Sequence, residues 1–137
     1  MKYAGQNIRV VTAEITRDGL FLILRRPMHK TLPGLWEFPG GRVREGESDE
    51  DALRRKLPTL LGVGCDVGER LMMVDHPYED YTVHLRYYRV DIVGGAQPRP
   101  AQGREYAWVA PEEFEHYQFP AADEHTVALL LNEGDDE

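Results

Sequence analysis

Cysteine is almost missing from this chain of 137 residues: Cys65 stands alone, which excludes an internal disulfide and any zinc site built on cysteine. Long apolar runs are missing too. None approaches the roughly 18 residues that span a bilayer, and the N-terminal stretch lacks the apolar core of a secretory signal, so the expected location is cytoplasmic. A surplus of positive charge is the third absence. The net charge of −8 works against general affinity for nucleic acid, which needs clustered Lys and Arg to displace counterions. Part of the acidity lies in residues 133–137, which read as a solvated tail. No repeat, low-complexity block or linker divides the chain. With 42% of its residues hydrophobic it can bury a core, and a single domain over residues 1–137 is expected. No Ser-His-Asp or Cys-His arrangement is apparent. His76, His84 and His116 lack metal-ligand spacing, and His84, inside an expected strand, reads as structural.

The elements that are present follow from local pattern. The β-branched run at 8–15 predicts a strand, Arg17-Asp18-Gly19 a turn and 20–24 a buried strand, so the two strands are expected to pair as a hairpin. Residues 27–39 read as a loop punctuated by Pro33-Gly34. Ser48 followed by Asp49, Glu50 and Asp51 starts a helix, because acids in the first turn complement the dipole. Leu53, Leu57 and Leu61 form its apolar stripe. Pro58 is expected to kink or shorten the last turn, and Gly62 to stop the helix. Strands follow at 71–74, at 81–93 and, as a candidate edge, at 105–109. A terminal helix is expected over 122–132, with Val127, Leu130 and Leu131 buried. Strands, a helix, then strands and a helix predict a mixed sheet with helices packed on it.

The densest signal lies at 40–63. Gly40-Gly41 follow Phe38-Pro39 and lead through Glu47 into the helix; glycine lets a phosphate or metal approach the backbone and tolerates positive φ. A bare Gly-Gly pair is also what an ordinary turn shows. Gly41, Glu47, Arg55, Leu57, Gly62 and Val63, however, fall without a gap on the fixed positions of the Nudix box: Gly, five residues, Glu, seven residues, then Arg-Glu-apolar-any-Glu-Glu-any-Gly-apolar. The chain thus resembles the MutT-like Nudix family, and Leu24-Arg25-Arg26-Pro27 and Leu32-Pro33-Gly34-Leu35-Trp36-Glu37-Phe38 are similar to it as well. The resemblance implies the Nudix fold, a mixed β-sheet packed between helices as an α/β/α sandwich. It also implies Mg²⁺- or Mn²⁺-dependent pyrophosphohydrolysis of nucleoside diphosphate-linked compounds.

In that family the box glutamates at i, i+3 and i+4 share one helix face and hold the metal through hard oxygen ligands. The metals bridge the diphosphate and lower the pKa of the attacking water. Here that face reads Lys56, Thr59 and Leu60. An ammonium, a hydroxyl and an isobutyl group cannot build a magnesium site. A Lys a few ångströms from a dication repels it by several kcal/mol at an effective dielectric of about 20. Metal-dependent hydrolysis by the family's route is therefore expected to be strongly impaired, with Glu47 the residual metal ligand. Glu45, Asp49, Glu50 and Asp51 crowd the helix entrance, but Asp49 lies about 10 Å from Lys56 along the axis. The simpler reading is N-capping, with Glu50 pairing with Arg54 and Asp51 with Arg55.

The resemblance also assigns roles. Arg55 would orient Glu47, and Glu105 would supply a further catalytic carboxylate. Arg26, Phe38 and Asp123 would contact the nucleotide, Asp123 at the base edge from the segment Phe119-Pro-Ala-Ala-Asp123; Gly40, Gly41 and Lys56 join them as nucleotide-binding candidates on their own chemistry. Each has a plainer alternative: surface charge for Arg26, core aromatic for Phe38, first-turn acid for Asp123. Lys56 either meets a phosphate in place of the lost metal or sits solvated beside an acid, while Leu60 extends the apolar stripe. The expected function is a nucleotide-binding or regulatory protein with weak or no hydrolysis, its partner a small-molecule nucleotide. An active pyrophosphohydrolase using other acidic ligands and a protein-interaction scaffold are the alternatives, and a homodimer is compatible with each.

Overall fold

The computed structural model describes residues 5–122 together with Thr126, Val127 and Leu130. Strand β1 (Gln6–Glu14) is apolar on both faces, Ile8 and Val10 on one and Val11 and Ala13 on the other, and such a strand is stable only inside a sheet. It lies between β5 (Gly40–Arg42) and β7 (Tyr81–Ile92), with β6 (Cys65–Pro77) beyond β7, in the order β5-β1-β7-β6. β1 and β7 run parallel, with Ile8 opposite Val83 and Ala13 opposite Tyr88; the other pairs are antiparallel, so the sheet is mixed.

A second sheet is built on β3 (Leu20–Arg25). On one side β3 pairs with β2 (Thr16–Arg17) and β4 (Trp36–Glu37); on the other it pairs with β8 (Tyr106–Val109), an edge strand as expected. The expected hairpin is corrected here. Its turn stands at Asp18 and Gly19, with φ of 53° and 79°, but its first arm is only β2 with the Ile15 carbonyl, which accepts from Leu22 N at 2.9 Å. The β-branched run therefore splits at Ile15 between two sheets: both edges of β1 are taken by β5 and β7, which leaves only the residues after Ile15 to pair with β3.

The helix α1 (Asp49–Leu61) begins at Ser48, whose Oγ accepts from Asp51 N at 3.1 Å. It ends at Gly62, which takes φ of 67° and donates its N–H to the Pro58 carbonyl. Pro58 does not shorten the helix. The bond it forfeits belongs to the Arg54 carbonyl on the exposed face, where water can replace it. The expected Asp51–Arg55 pair is absent from the ion pairs seen among the described residues; Asp51 meets Arg54 instead and Arg55 meets Glu47.

Ala52, Leu53, Leu57, Leu60 and Leu61 pack against Val11, Ala13, Tyr88 and Val90 to form the main core. The opposite face of the first sheet carries Ile8, Tyr81 and Val83, with Val127 packed against them. The sheet thus lies between α1 and Val127, which like Thr126 and Leu130 is helical. The fold is α+β, with a mixed sheet and few helices. Leu131, Asp123 and the tail at 133–137 lie outside the described residues. No described helix is long and apolar enough to cross a membrane.

Candidate functional site

A cavity of about 290 Å³ opens beside β1 and β5, and its wall includes Arg26, Phe38, Gly40, Gly41 and Lys56. Nucleotide-binding candidates spread over the first 56 positions therefore share one hollow. Backbone approach explains the two glycines. A Cβ on Gly40 would come within 2.1 Å of the Val11 carbonyl oxygen, and one on Gly41 within 2.6 Å of Lys56 Cε. Neither glycine has positive φ, so close contact, and not turn geometry, requires them.

Lys56 is not a solvated helix lysine. It is only 6% exposed, its stem lies across Gly41, and it forms part of the cavity wall. Leu60 is buried in the main core and Thr59 is exposed.

Glu47 is held from two sides. Arg55 Nε donates to its Oε2 at 2.8 Å and Arg55 Nη2 to its Oε1 at 3.0 Å, while Arg44 N donates to Oε1 at 2.9 Å. The Arg55 hydrogen bond is the main reason that its pKa falls from 4.5 to about 2. Arg55 Nη2 also donates to the Arg42 carbonyl, so one guanidinium joins β5, the following loop and α1. Asp49 is likewise engaged, by Arg9 Nη2 at 2.7 Å and Tyr88 Oη at 2.9 Å.

Arg26 is buried rather than a surface charge. Its Nη1 donates to Glu37 Oε1 at 2.8 Å and its Nε to the Thr31 carbonyl at 2.8 Å. Arg104 grips the other oxygen of Glu37 and donates through Nε to the Arg25 carbonyl. Phe38 lines the cavity and stacks on Phe119 with centroids 5.6 Å apart. Glu105 is placed elsewhere: exposed, paired with Arg25 at 3.2 Å, and lining a second depression with Arg104 and His29 that shares only Arg26 with the first cavity. Asp123 lies outside the described residues.

Several cavity-lining residues were not among the site candidates read from the sequence: Thr12, Glu37, Tyr78 and His76, the last weighed there only as a metal ligand. Thr12 carried a signal, as the polar residue on the alternating face of Ile8 and Val10. His76 and Tyr78 also alternate, at the end of β6. Their rings stack 6.3 Å apart, and Tyr78 Oη donates to the Ala122 carbonyl. His84 does have a structural place, its ring nitrogens 2.7 Å from Asp75 Oδ1 and 3.0 Å from Asn7 Oδ1, linking β6, β7 and β1.

Among the described residues no three His, Cys, Asp or Glu side chains are grouped to hold a metal ion. The donor chemistry beside Gly41 does not fit magnesium either. Lys56 offers an ammonium, and both Glu47 oxygens already accept from Arg55.

The family model for the NUDIX domain matches residues 10–129, and the chain belongs to the Nudix family. It is 38% identical over 117 residues to a CTP pyrophosphohydrolase of Escherichia coli strain K12, spanning 85% of each chain. It is 30% identical over 132 residues to the nucleoside triphosphatase NudI of Salmonella arizonae, covering 88% of this chain and 94% of the relative. The solution structure of the Escherichia coli ORF135 protein superposes with a TM-score of 0.70 at 30% identity, covering 96% of both chains. A MutT protein from Methanosarcina mazei Go1 shares the fold with a TM-score of 0.70 at 24% identity, covering 96% of this chain and 97% of its own. Nudix hydrolases generally use a divalent metal and act on small nucleotides.

Proposed function

We propose that this Nudix domain binds a nucleotide in the cavity beside β1 and β5 and has weak or no pyrophosphohydrolase activity, acting as a nucleotide-binding or regulatory protein. The observation that carries this reading is Lys56, buried across Gly41 on the cavity wall where the family's box would set a carboxylate. Its ammonium takes the electrostatic part of the metal toward phosphate but cannot activate a water. Glu47 and Arg55 remain as scaffold for the loop before α1. Phe38, Tyr78 and His76 offer aromatic surface to a base, with Asp123 the residue proposed for its edge. The relatives named for CTP and for nucleoside triphosphates support a nucleoside phosphate as the ligand class.

Thermal unfolding across nucleoside mono-, di- and triphosphates of each base, in EDTA and then in Mg²⁺, tests the proposal. Stabilisation in EDTA is the expected result, since a ligand that binds only the native state raises its stability by mass action. No stabilisation by any nucleotide would overturn it in favour of an interaction scaffold.

A further inference from the structure

The first sheet ends on one side in the short strand β5, of 3 residues, and on the other in β6, of 13. Among the described residues β6 pairs only with β7, so one side of its backbone offers donors and acceptors that no strand takes up. Such an edge is ordinarily blunted by charge or proline in mid-strand. β6 instead presents Leu71, Met72 and Met73 in succession, 38%, 48% and 49% exposed. Its charges flank this run, with Arg70 before it and Asp75 after it, both exposed.

The register against β7 fixes which of these groups share a face. Arg70 stands opposite Tyr88, Met73 opposite Arg86 and Asp75 opposite His84, so the three project from one face of the sheet. Met72 and Val74, opposite Tyr87 and Leu85, project from the other. Leu71 is the extra residue of a bulge. Without it Arg70 and Asp75, five apart in sequence, would fall on opposite faces. Met73 is therefore the midpoint between a cation and an anion on a common face. Arg70 has no hydrogen bond or ion pair among the described residues, and the partners of Asp75, His84 and Arg86, both meet its Oδ1. Glu69 is paired with Arg89 at 3.6 Å, so this edge is close to neutral although the chain carries −8.

We propose that β6 pairs with β6 of a second copy of this chain, antiparallel about a two-fold axis at Met73, and so joins two first sheets into one. In this pairing Met73 meets the partner's Met73, Met72 the partner's Val74 and Arg70 the partner's Asp75. A strand with unlike charges placed symmetrically about an apolar centre is its own complement, which is what a two-fold contact requires. The inference is independent of the nucleotide reading. The contact is confined to one strand edge, at the small end of specific interfaces, so the dimer is weak and reversible.

Sedimentation velocity of the full chain from about 10 μM to about 1 mM should show the weight-average mass rising from that of one chain toward that of two. Met73→Lys sets two ammonium groups against each other at the axis and should weaken association at least about tenfold, with the thermal midpoint of the dilute protein unchanged. Arg70→Glu, which faces the partner's Asp75 with a like charge, should weaken it about fivefold. The register is read by oxidation. Opposed residues of an antiparallel pair lie about 4.5–5.5 Å apart at Cα, inside disulfide range, so Met73→Cys in a Cys65→Ser background should give a covalent dimer. Met28→Cys, at a 74% exposed position in the loop after β3, should not. Association that survives Met73→Lys, or equal cross-linking at Met28 and Met73, overturns the pairing. A chain that stays monomeric at every concentration also overturns it and leaves the edge to an extended segment of another protein.

Discussion

Replacing Glu47 by Gln keeps the size of the side chain and removes its charge, which isolates the ion pair tying the loop before α1 to the helix. The carboxylate accepts from Arg55 Nε, Arg55 Nη2 and Arg44 N, and its side chain is 16% exposed. A fall in pKa from 4.5 to about 2 corresponds to about 3 kcal/mol at 1.36 kcal/mol per unit. Water at the rim screens part of this, and the expected loss at pH 7 is about 2 kcal/mol. The sign in pH follows from the depressed value. The contribution is present above the unfolded-state pKa of 4.5 and is lost as pH falls through the folded-state value of about 2. Urea unfolding of both proteins from pH 7 to pH 2 should show a gap that is constant down to about pH 5 and then closes. Equal stability at pH 7, or a gap that fails to narrow between pH 5 and pH 2, would refute the assignment of Glu47 as a structural anion.

The glycines should separate by what their Cβ would strike. Gly40→Ala meets a backbone carbonyl and should cost more than about 3 kcal/mol or prevent folding, whereas Gly41→Ala displaces the Lys56 stem, keeps the fold and weakens nucleotide affinity; thermal melts with nucleotide titration distinguish them. Arg104→Ala should lower stability by about 2 kcal/mol in urea titrations, because it leaves Glu37 to Arg26 alone at a poorly solvated site. The combined Lys56→Glu/Thr59→Glu/Leu60→Glu variant rebuilds carboxylates at i, i+3 and i+4 and should gain Mn²⁺ binding by calorimetry. It should lose stability because Leu60 belongs to the core. A folded variant that binds no Mn²⁺ would mean that the frame around the box, and not only its ligands, has changed.

Local signals carried the parts of the fold that short-range chemistry decides. Ser48 capping Asp51, the acids at 49–51 and Gly62 in the left-handed conformation bound α1 where the sequence pattern placed them. The partner of β1 was not legible, because the β-branched run at 8–15 encodes extended chain and not a parallel neighbour at 81–89. The site divides in the same way. Gly41, Glu47 and Arg55 were readable because their spacing is local to one loop and helix. The burial of Lys56 was not, since helical lysines ordinarily reach water and only the packing of β5 against α1 shows that Gly41 covers this one. Glu37 and Arg104 stand 67 positions apart and meet only through the pairing of β3 with its neighbours, so neither residue could be matched in advance. Glu105 adjoins β8, which sets it beside Arg25 and outside the wall of the cavity beside β1 and β5.

The most direct test of the account is the release of phosphate or pyrophosphate from nucleoside triphosphates by the pure protein in Mg²⁺ or Mn²⁺. With Lys56 beside Gly41 and Glu47 engaged by Arg55, turnover should stay near the uncatalysed background even where the same nucleotides stabilise the fold. Robust metal-dependent hydrolysis that disappears in Glu47→Gln would contradict it.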